Sequence, residues 1–114
     1  METKDLLMKC VEIAHDKKAQ EIISLEMGEL TSITDYFLLM TVPNSRLGKS
    51  ICDYISEETE KDGLRPTRVE GYKEGRWILM DYGSIIVHIF QEEERQYYNL
   101  ERLWGDAPKE SFYY

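Results

Sequence analysis

The sequence lacks any long hydrophobic run. No window of its 114 residues approaches the roughly eighteen uninterrupted apolar residues that can span a bilayer, so no membrane partner is expected. The first residues, Met1 to Asp5, carry two acids and one lysine and lead into no apolar stretch. Neither a secretory signal nor an Arg-rich transit peptide is therefore visible. These absences predict a protein of the cytoplasm.

Cysteine is also scarce. The two cysteines, Cys10 and Cys52, form no CxxC pair, and each lies in an apolar pattern of helical spacing. Buried reduced thiols are therefore expected in place of a disulfide or a zinc site.

The motifs that mark common enzyme classes are missing. His15 and His88 are isolated, and there is no HExxH, GxSxG, GxGxxG or Walker loop. Asp35 follows Ser and Thr residues, a setting more typical of a turn or cap than of a metal ligand. The glutamates among residues 57–60 are typical of the solvated flank of a helix. The sequence predicts a protein that is not an enzyme and has no catalytic residue, cofactor or metal site.

Basic residues are outnumbered by acidic ones. The chain contains 22 Asp and Glu against 14 Lys and Arg, which gives a formal charge of -8. Binding to a phosphate backbone depends on clustered Lys and Arg, so direct sequence-specific recognition of nucleic acid is not expected. An acidic surface instead favours a basic partner and speeds its association, although acidity is also a common solubility device.

The chain shows no repeat, no low-complexity block and no long linker, so residues 1–114 are expected to form a single domain. Apolar spacing predicts an α/β (α+β) fold, with a mixed five-stranded sheet and helices packed mainly on one face. Residues 110–114 are expected to be a flexible tail, whose aromatic side chains could instead fold back or contact a second chain.

The predicted helices are ended by recognisable residues. They cover Lys4 to Asp16, a segment capped by Ser45 and stopped by Gly63, and a final segment from Gln91 that stops at Gly105 and Pro108. The predicted strands are Glu21–Glu26, Tyr36–Val42, Thr67–Gly71, Arg76–Tyr82 and Ile85–Phe90.

The last two strands are joined by only two residues, Gly83 and Ser84, and so short a turn fixes the register of a hairpin. One face then pairs Ile78 with Ile89 and continues with apolar residues. The other face carries both large hydrophobic and charged side chains. Its predicted members are Trp77, Leu79, Asp81, Ile86, His88 and Phe90, with Arg68 and Glu70 of the preceding strand beside Trp77.

This mixed face has two interpretations, which the sequence leaves about equally weighted. An aromatic anchor with a polar surround is typical of a protein-binding surface. Alternatively, the final helix covers Trp77 and Phe90 as a second core layer, with Leu100, Leu103 and Trp104 docking that helix on the sheet.

Several short segments match a known family in both order and spacing. They are DKKA at residues 16–19, LTSITDYF at 30–37, NS at 44–45, RVEGY at 68–72, RWILMDYG at 76–83, VHIF at 87–90 and YYNLERLWGDAP at 97–108. Together they make most of the chain, from about residue 16 to residue 108, resemble the ribosomal silencing factors of the Iojap family. The resemblance implies a nucleotidyltransferase-like fold without the catalytic motif.

The resemblance also implies a function. Members of this family bind the fourteenth protein of the large ribosomal subunit and sterically block association with the small subunit, which represses translation under nutrient limitation. The matching positions for the binding surface are Glu70, Trp77, Asp81 and Tyr82. The hairpin register agrees for the first three but places Tyr82 on the core side or at its rim. A nucleotidyltransferase-like enzyme and a homodimeric scaffold remain the alternatives.

Overall fold

One mixed β-sheet organises the protein, and the computed structural model describes residues 2–112 of the chain. Within that range the helices are α1 (Thr3–Asp16), α2 (Ser45–Glu60), α3 (Glu92–Tyr98) and α4 (Leu100–Leu103). The strands are β1 (Gln20–Glu26), β2 (Tyr36–Val42), β3 (Arg68–Glu70), β4 (Trp77–Asp81), β5 (Ile85–Gln91) and β6 (Lys109–Ser111).

The strand order is β3-β4-β5-β2-β1-β6. The central strands β2 and β5 run parallel, and the other neighbouring pairs are antiparallel. Parallel neighbours need a long connection. After β2 the chain crosses over through α2 to the far edge of the sheet and returns to the centre through β3, β4 and β5. This topology places the hairpin of β4 and β5 next to the central strand β2.

Helices α1 and α2 cover one face of the sheet and form the main core. Their buried apolar residues pack against Leu38, Met40, Ile78, Met80 and Val87 of the strands. Both cysteines are free and buried in this layer, as expected, and burial raises the pKa of the Cys10 thiol to about 12. The predicted arrangement, with helices mainly on one face of a mixed sheet, is confirmed.

The cap of α2 is one residue earlier than predicted. The Asn44 side chain accepts a hydrogen bond from the backbone N–H of Leu47 at 2.8 Å, and Ser45 is the first helical residue. Asn and Ser are about equally good caps, so two adjacent candidates could not be separated by residue type alone.

A smaller second layer covers part of the opposite face. Its buried members are Ile23, Leu25, Met27, Leu39, Phe90 and Ala107. The predicted final helix forms this cover, but Asn99 adopts a left-handed conformation (φ 43°) and divides it into α3 and α4. Leu100 and Trp104 pack against the sheet as predicted. The prediction for Leu103 was wrong, because 69% of this residue is exposed.

The C-terminal segment is also different from its prediction. Residues Lys109–Ser111 form a sixth strand, with Ser24 opposite Glu110, and the backbone N–H of Phe112 donates to the carbonyl of Ile22 at 2.9 Å. The expected tail is therefore wrong for residues 110–112, since the outer edge of β1 offers unpaired backbone groups to the returning chain. Residues 113 and 114 lie outside the described residues.

Candidate partner-binding surface

The hairpin of β4 and β5 has the predicted register. Ile78 lies opposite Ile89 and Met80 opposite Val87. The backbone N–H of Tyr82 donates to the carbonyl of Ile85 at 2.9 Å, and the intervening Gly83 has the positive φ of 84° that such a turn requires. Because Ile78 and Met80 face the helices, the alternate residues of β4 project from the opposite side of the sheet. We call this side of β3, β4 and β5 the mixed face.

Trp77 is the largest side chain of the mixed face, and it is half-buried. Its ring lies 5.0 Å from Phe90 and 4.6 Å from Tyr98, measured between ring centroids. Its indole N–H donates to His88 Nδ1 at 3.0 Å. The interpretation as a second core layer is therefore confirmed in part, and the interpretation as a protein-binding surface stays a prediction. The cover from α3 and the following segment buries Phe90, whereas Trp77 keeps an exposed portion.

His88 lies beneath Trp77 and is almost fully buried, at 3% exposed. Burial disfavours the charged imidazolium and lowers the pKa of His88 to about 3, so the ring is neutral at physiological pH. It lies against Phe37, with the ring centroids 4.7 Å apart. His88 therefore lies in a buried and largely aromatic environment.

The two acids predicted for the surface lie close to one cation. Arg68 Nη1 donates to Glu70 Oε2 at 2.5 Å, and Arg68 Nε donates to Asp81 Oδ2 at 3.3 Å. The second oxygen of Asp81 accepts the backbone N–H of Gly83 at 2.8 Å. Arg68 and Glu70 are more than half exposed, and the Asp81 side chain is 19% exposed.

The position of this charged group corrects one prediction. Arg68 lies opposite Asp81 and Glu70 opposite Leu79, so this pair is shifted along β4 away from Trp77. The turn before β4 explains the shift. Gly71 has a φ of 78°, and a side chain there would collide with the carbonyl of Trp77. A glycine-dependent turn longer than two residues leaves the register undetermined by sequence.

Tyr82 lies on the other side of the sheet from the remaining three predicted residues. Its hydroxyl is 2.8 Å from Thr59 Oγ1 of α2, and its ring packs against the main core. Burial raises the pKa of this phenol to about 12. The structure thus places Glu70, Trp77 and Asp81 on the mixed face, with Trp77 and Asp81 at opposite ends of β4, and places Tyr82 at the rim of the helix-covered core.

Sequence reasoning missed an aromatic extension of the mixed face. Tyr98 contacts the Trp77 ring, and Tyr97 packs edge-on against Tyr98 at 5.0 Å between centroids. Tyr97 and Leu103 are largely exposed. The motif YYNLERLW contains these residues, but only the break at Asn99 shows which of them point outward.

Residues 2–112 contain no candidate metal site and no candidate membrane span. No group of three or more His, Cys, Asp or Glu side chains that could hold a metal ion occurs in that part of the chain. Over the same residues, no helix has both the length and the apolar character needed to cross a bilayer.

Known proteins resemble this chain over nearly its full length. The family model described as ribosomal silencing factor during starvation matches residues 1–113. A ribosomal silencing factor of Halalkalibacterium halodurans is 38% identical over 108 residues, which cover 95% of this chain and 92% of that protein. A crystal structure of a Chromobacterium violaceum protein matches with a TM-score of 0.88 and 30% identity, covering 92% of this chain and 88% of that chain.

A more distant relative comes from the mouse. It is named mitochondrial assembly of ribosomal large subunit protein 1. It is 25% identical over 97 residues, which cover 82% of this chain and 42% of that protein. The sequence resemblance and the similarity of fold therefore lead to the same group of proteins.

Proposed function

Since the chain belongs to the ribosomal silencing factor family, we propose that it binds the fourteenth protein of the large ribosomal subunit. In that position it sterically blocks association with the small subunit and represses translation when nutrients are limiting. The proposed action needs no chemical step, because occupying the surface is sufficient to exclude the other subunit. Its proposed place of action is the cytoplasm.

The observation that carries this proposal is the mixed face. It combines the half-buried Trp77 with the acidic pair Glu70 and Asp81, in a chain whose formal charge is -8. A large aromatic residue with a partly buried flat ring is the usual centre of a binding hot spot. Acidic side chains on the same face complement a basic ribosomal protein and raise the rate of encounter. The name of the mouse relative supports the large subunit as the place of binding.

Each predicted residue has a proposed role in the complex. Trp77 is the anchor, and the carboxylates of Glu70 and Asp81 accept hydrogen bonds from basic side chains of the partner. Tyr82 meets the partner only through its exposed edge, because its hydroxyl is already bonded to Thr59. The exposed Tyr97 and Leu103 extend the apolar part of the surface.

The test is gradient fractionation with purified ribosomal subunits. The protein is expected to sediment with free large subunits and not with small subunits, and to slow the formation of joined ribosomes when both subunits are mixed. Light scattering follows joining over time. The proposed function is wrong if the protein stays at the top of the gradient when large subunits are present at micromolar concentration. It is also wrong if the protein in cell extracts is absent from the large-subunit fractions.

Replacing Arg68 is expected to strengthen binding, whereas replacing a residue that contacts the partner ordinarily weakens it. Because Arg68 occupies both Glu70 and Asp81, a basic partner must displace it before it can use these carboxylates. The Arg68→Gln variant is expected to bind large subunits about threefold more tightly, since exposed ion pairs contribute roughly 0.2–1 kcal/mol each. Most of the gain is expected in the association rate, and it should shrink at high salt.

The matched control is Arg65→Gln. Arg65 is also an exposed arginine, paired with Glu60 of α2 outside the mixed face, and its loss changes the net charge equally. Association kinetics at two salt concentrations compare the two variants. Equal gains in affinity for the two variants would mean that net charge alone causes the effect. Weaker binding of the Arg68 variant would show that Arg68 itself contacts the partner.

A homodimer is the second candidate, because Tyr97 and Leu103 leave an exposed apolar area next to Tyr98, whose ring contacts Trp77. Sedimentation equilibrium distinguishes the two functions. A tight dimer that large subunits do not dissociate, with Trp77 protected from solvent, would favour the scaffold.

A further inference from the structure

A buried hydrogen bond joins the exposed surface to the sheet beneath it. The indole N–H of Trp77 donates to Nδ1 of His88, and the two nitrogen atoms are 3.0 Å apart. A nitrogen that accepts this bond cannot carry a proton. The neutral imidazole therefore holds its proton on Nε2, and the low pKa of His88 agrees with a neutral ring.

The Nε2 edge of the His88 ring, opposite the bond to Trp77, makes histidine unfavourable at this buried position. Nε2 is buried and has no hydrogen-bond partner within residues 2–112. The ring lies between apolar neighbours, with Phe37 at 4.7 Å and Phe90 at 5.8 Å between centroids. A buried donor without a partner destabilises the fold, and a leucine or phenylalanine at this place would avoid that penalty. What the histidine alone supplies is an acceptor for the Trp77 indole.

We propose that His88 is a positioning residue for partner binding: its Nδ1 holds the Trp77 ring in the orientation that presents one edge at the mixed face. Without this acceptor the Trp77 side chain turns to other rotamers, in which its indole N–H faces water. The ring must then be reordered when the partner binds. This inference rests on the proposed function of the mixed face.

The hydrogen bond also restricts what the partner offers. The indole N–H is already occupied by His88, and the ring is stacked on Phe90 and lies against Tyr98, so the partner meets Trp77 through the carbon edge of the ring. Apolar side chains suit such a contact.

Two variants of equal shape test the inference. His88→Asn keeps an acceptor oxygen near the position of Nδ1, whereas His88→Leu has the same branching and no acceptor. Both are made with Trp104→Phe, which leaves Trp77 as the only tryptophan. The Leu variant is expected to bind large subunits about tenfold more weakly than the Trp104→Phe parent, as the loss of one ordinary hydrogen bond predicts. The Asn variant is expected to recover most of that loss.

Fluorescence of Trp77 gives a readout without ribosomes. Acrylamide quenching is expected to rise and anisotropy to fall in the Leu variant, with the Asn variant close to the parent. Equal quenching and equal affinity of the Leu and Asn variants would overturn the positioning role. If the unaltered protein fails to bind large subunits, the proposed function fails, while the quenching difference still reports on His88.

A measurement on the unaltered protein covers the case in which a variant does not fold. Nitrogen-15 spectra of the imidazole at pH 5 are expected to show an unprotonated Nδ1 and a protonated Nε2. The indole proton of Trp77 is expected to exchange slowly with solvent. A charged ring, or a proton on Nδ1, would overturn the assignment of His88 as the acceptor.

Discussion

Replacing Trp77 by alanine and Asp81 by lysine in one protein is expected to weaken binding to the large subunit by about a thousandfold. Trp77 is proposed to supply the central apolar anchor, and truncating an anchor of this kind typically costs about 2 kcal/mol or more. The lysine removes a carboxylate that is only partly exposed and places a positive charge against a basic partner, which adds a penalty of similar size. Sedimentation with large subunits and the rate of subunit joining measure both consequences.

The control carries the same chemical changes on the opposite side of the molecule. Glu12→Lys combined with Tyr54→Ala reverses one acidic charge and removes one aromatic ring from the layer of α1 and α2. Glu12 is exposed and 39% of Tyr54 is exposed, so neither change disturbs the core. The control is expected to bind and to block joining within about threefold of the unaltered protein.

Folding must be compared for the same variants, because the Trp77 ring also contacts Phe90 and Tyr98. Urea unfolding of the double variant separates a loss of the surface from a loss of the fold. A folded double variant that still binds and still blocks subunit joining would show that the partner meets another part of the molecule.

The sequence predicted the mixed face because a local rule governs it. Gly83 and Ser84 form the shortest hairpin turn, and alternation then assigns each neighbour of Trp77 to a side of the sheet. The place of Arg68 was not predicted with the same success. It depends on the longer turn between β3 and β4, where the conformation of Gly71 sets the register.

Two other differences lie in the C-terminal part of the chain, one from a distant pairing and one from the conformation of a single residue. Residues 109–111 pair with β1, and nothing in their own composition distinguishes them from a free terminus. The left-handed Asn99 ends α3 and caps α4 by accepting the backbone N–H of Arg102 at 3.2 Å, which turns Leu103 outward. Helical spacing assumes an uninterrupted helix, so it assigned Leu103 to the sheet. Local patterns predicted the elements here, but a tertiary pairing and the backbone conformation of Asn99 decided where they begin and end.

Arg95→Ala is expected to lower the free energy of unfolding by about 3 kcal/mol, the largest stability effect expected from a charged residue of this protein. Arg95 lies in α3, yet it is only 5% exposed. Its Nη1 donates to the carbonyl of Glu21 at 2.7 Å and to Thr41 Oγ1 at 2.9 Å, and its Nε donates to Glu101 at 3.0 Å. One side chain therefore joins α3 and α4 to both β1 and β2.

Truncation leaves several groups without their partner. Thr41 is buried and loses its only described donor, Glu101 loses its cation, and the space of the guanidinium is left unfilled. Arg95→Lys keeps the charge but cannot reproduce the forked set of donors, so about half of the loss is expected. Urea unfolding at neutral pH, followed by circular dichroism, measures these differences.

Arg65→Ala provides the comparison, because that arginine forms its ion pair with Glu60 while 78% of its side chain is exposed. Its removal is expected to cost no more than about 0.5 kcal/mol, since water and salt screen such a pair. A loss below about 1 kcal/mol for Arg95→Ala would mean that α3 is held by its apolar contacts alone. If the expected loss is found, quenching of Trp77 should also rise when Arg95→Ala is combined with Trp104→Phe, because α3 carries the Tyr98 ring that lies against Trp77.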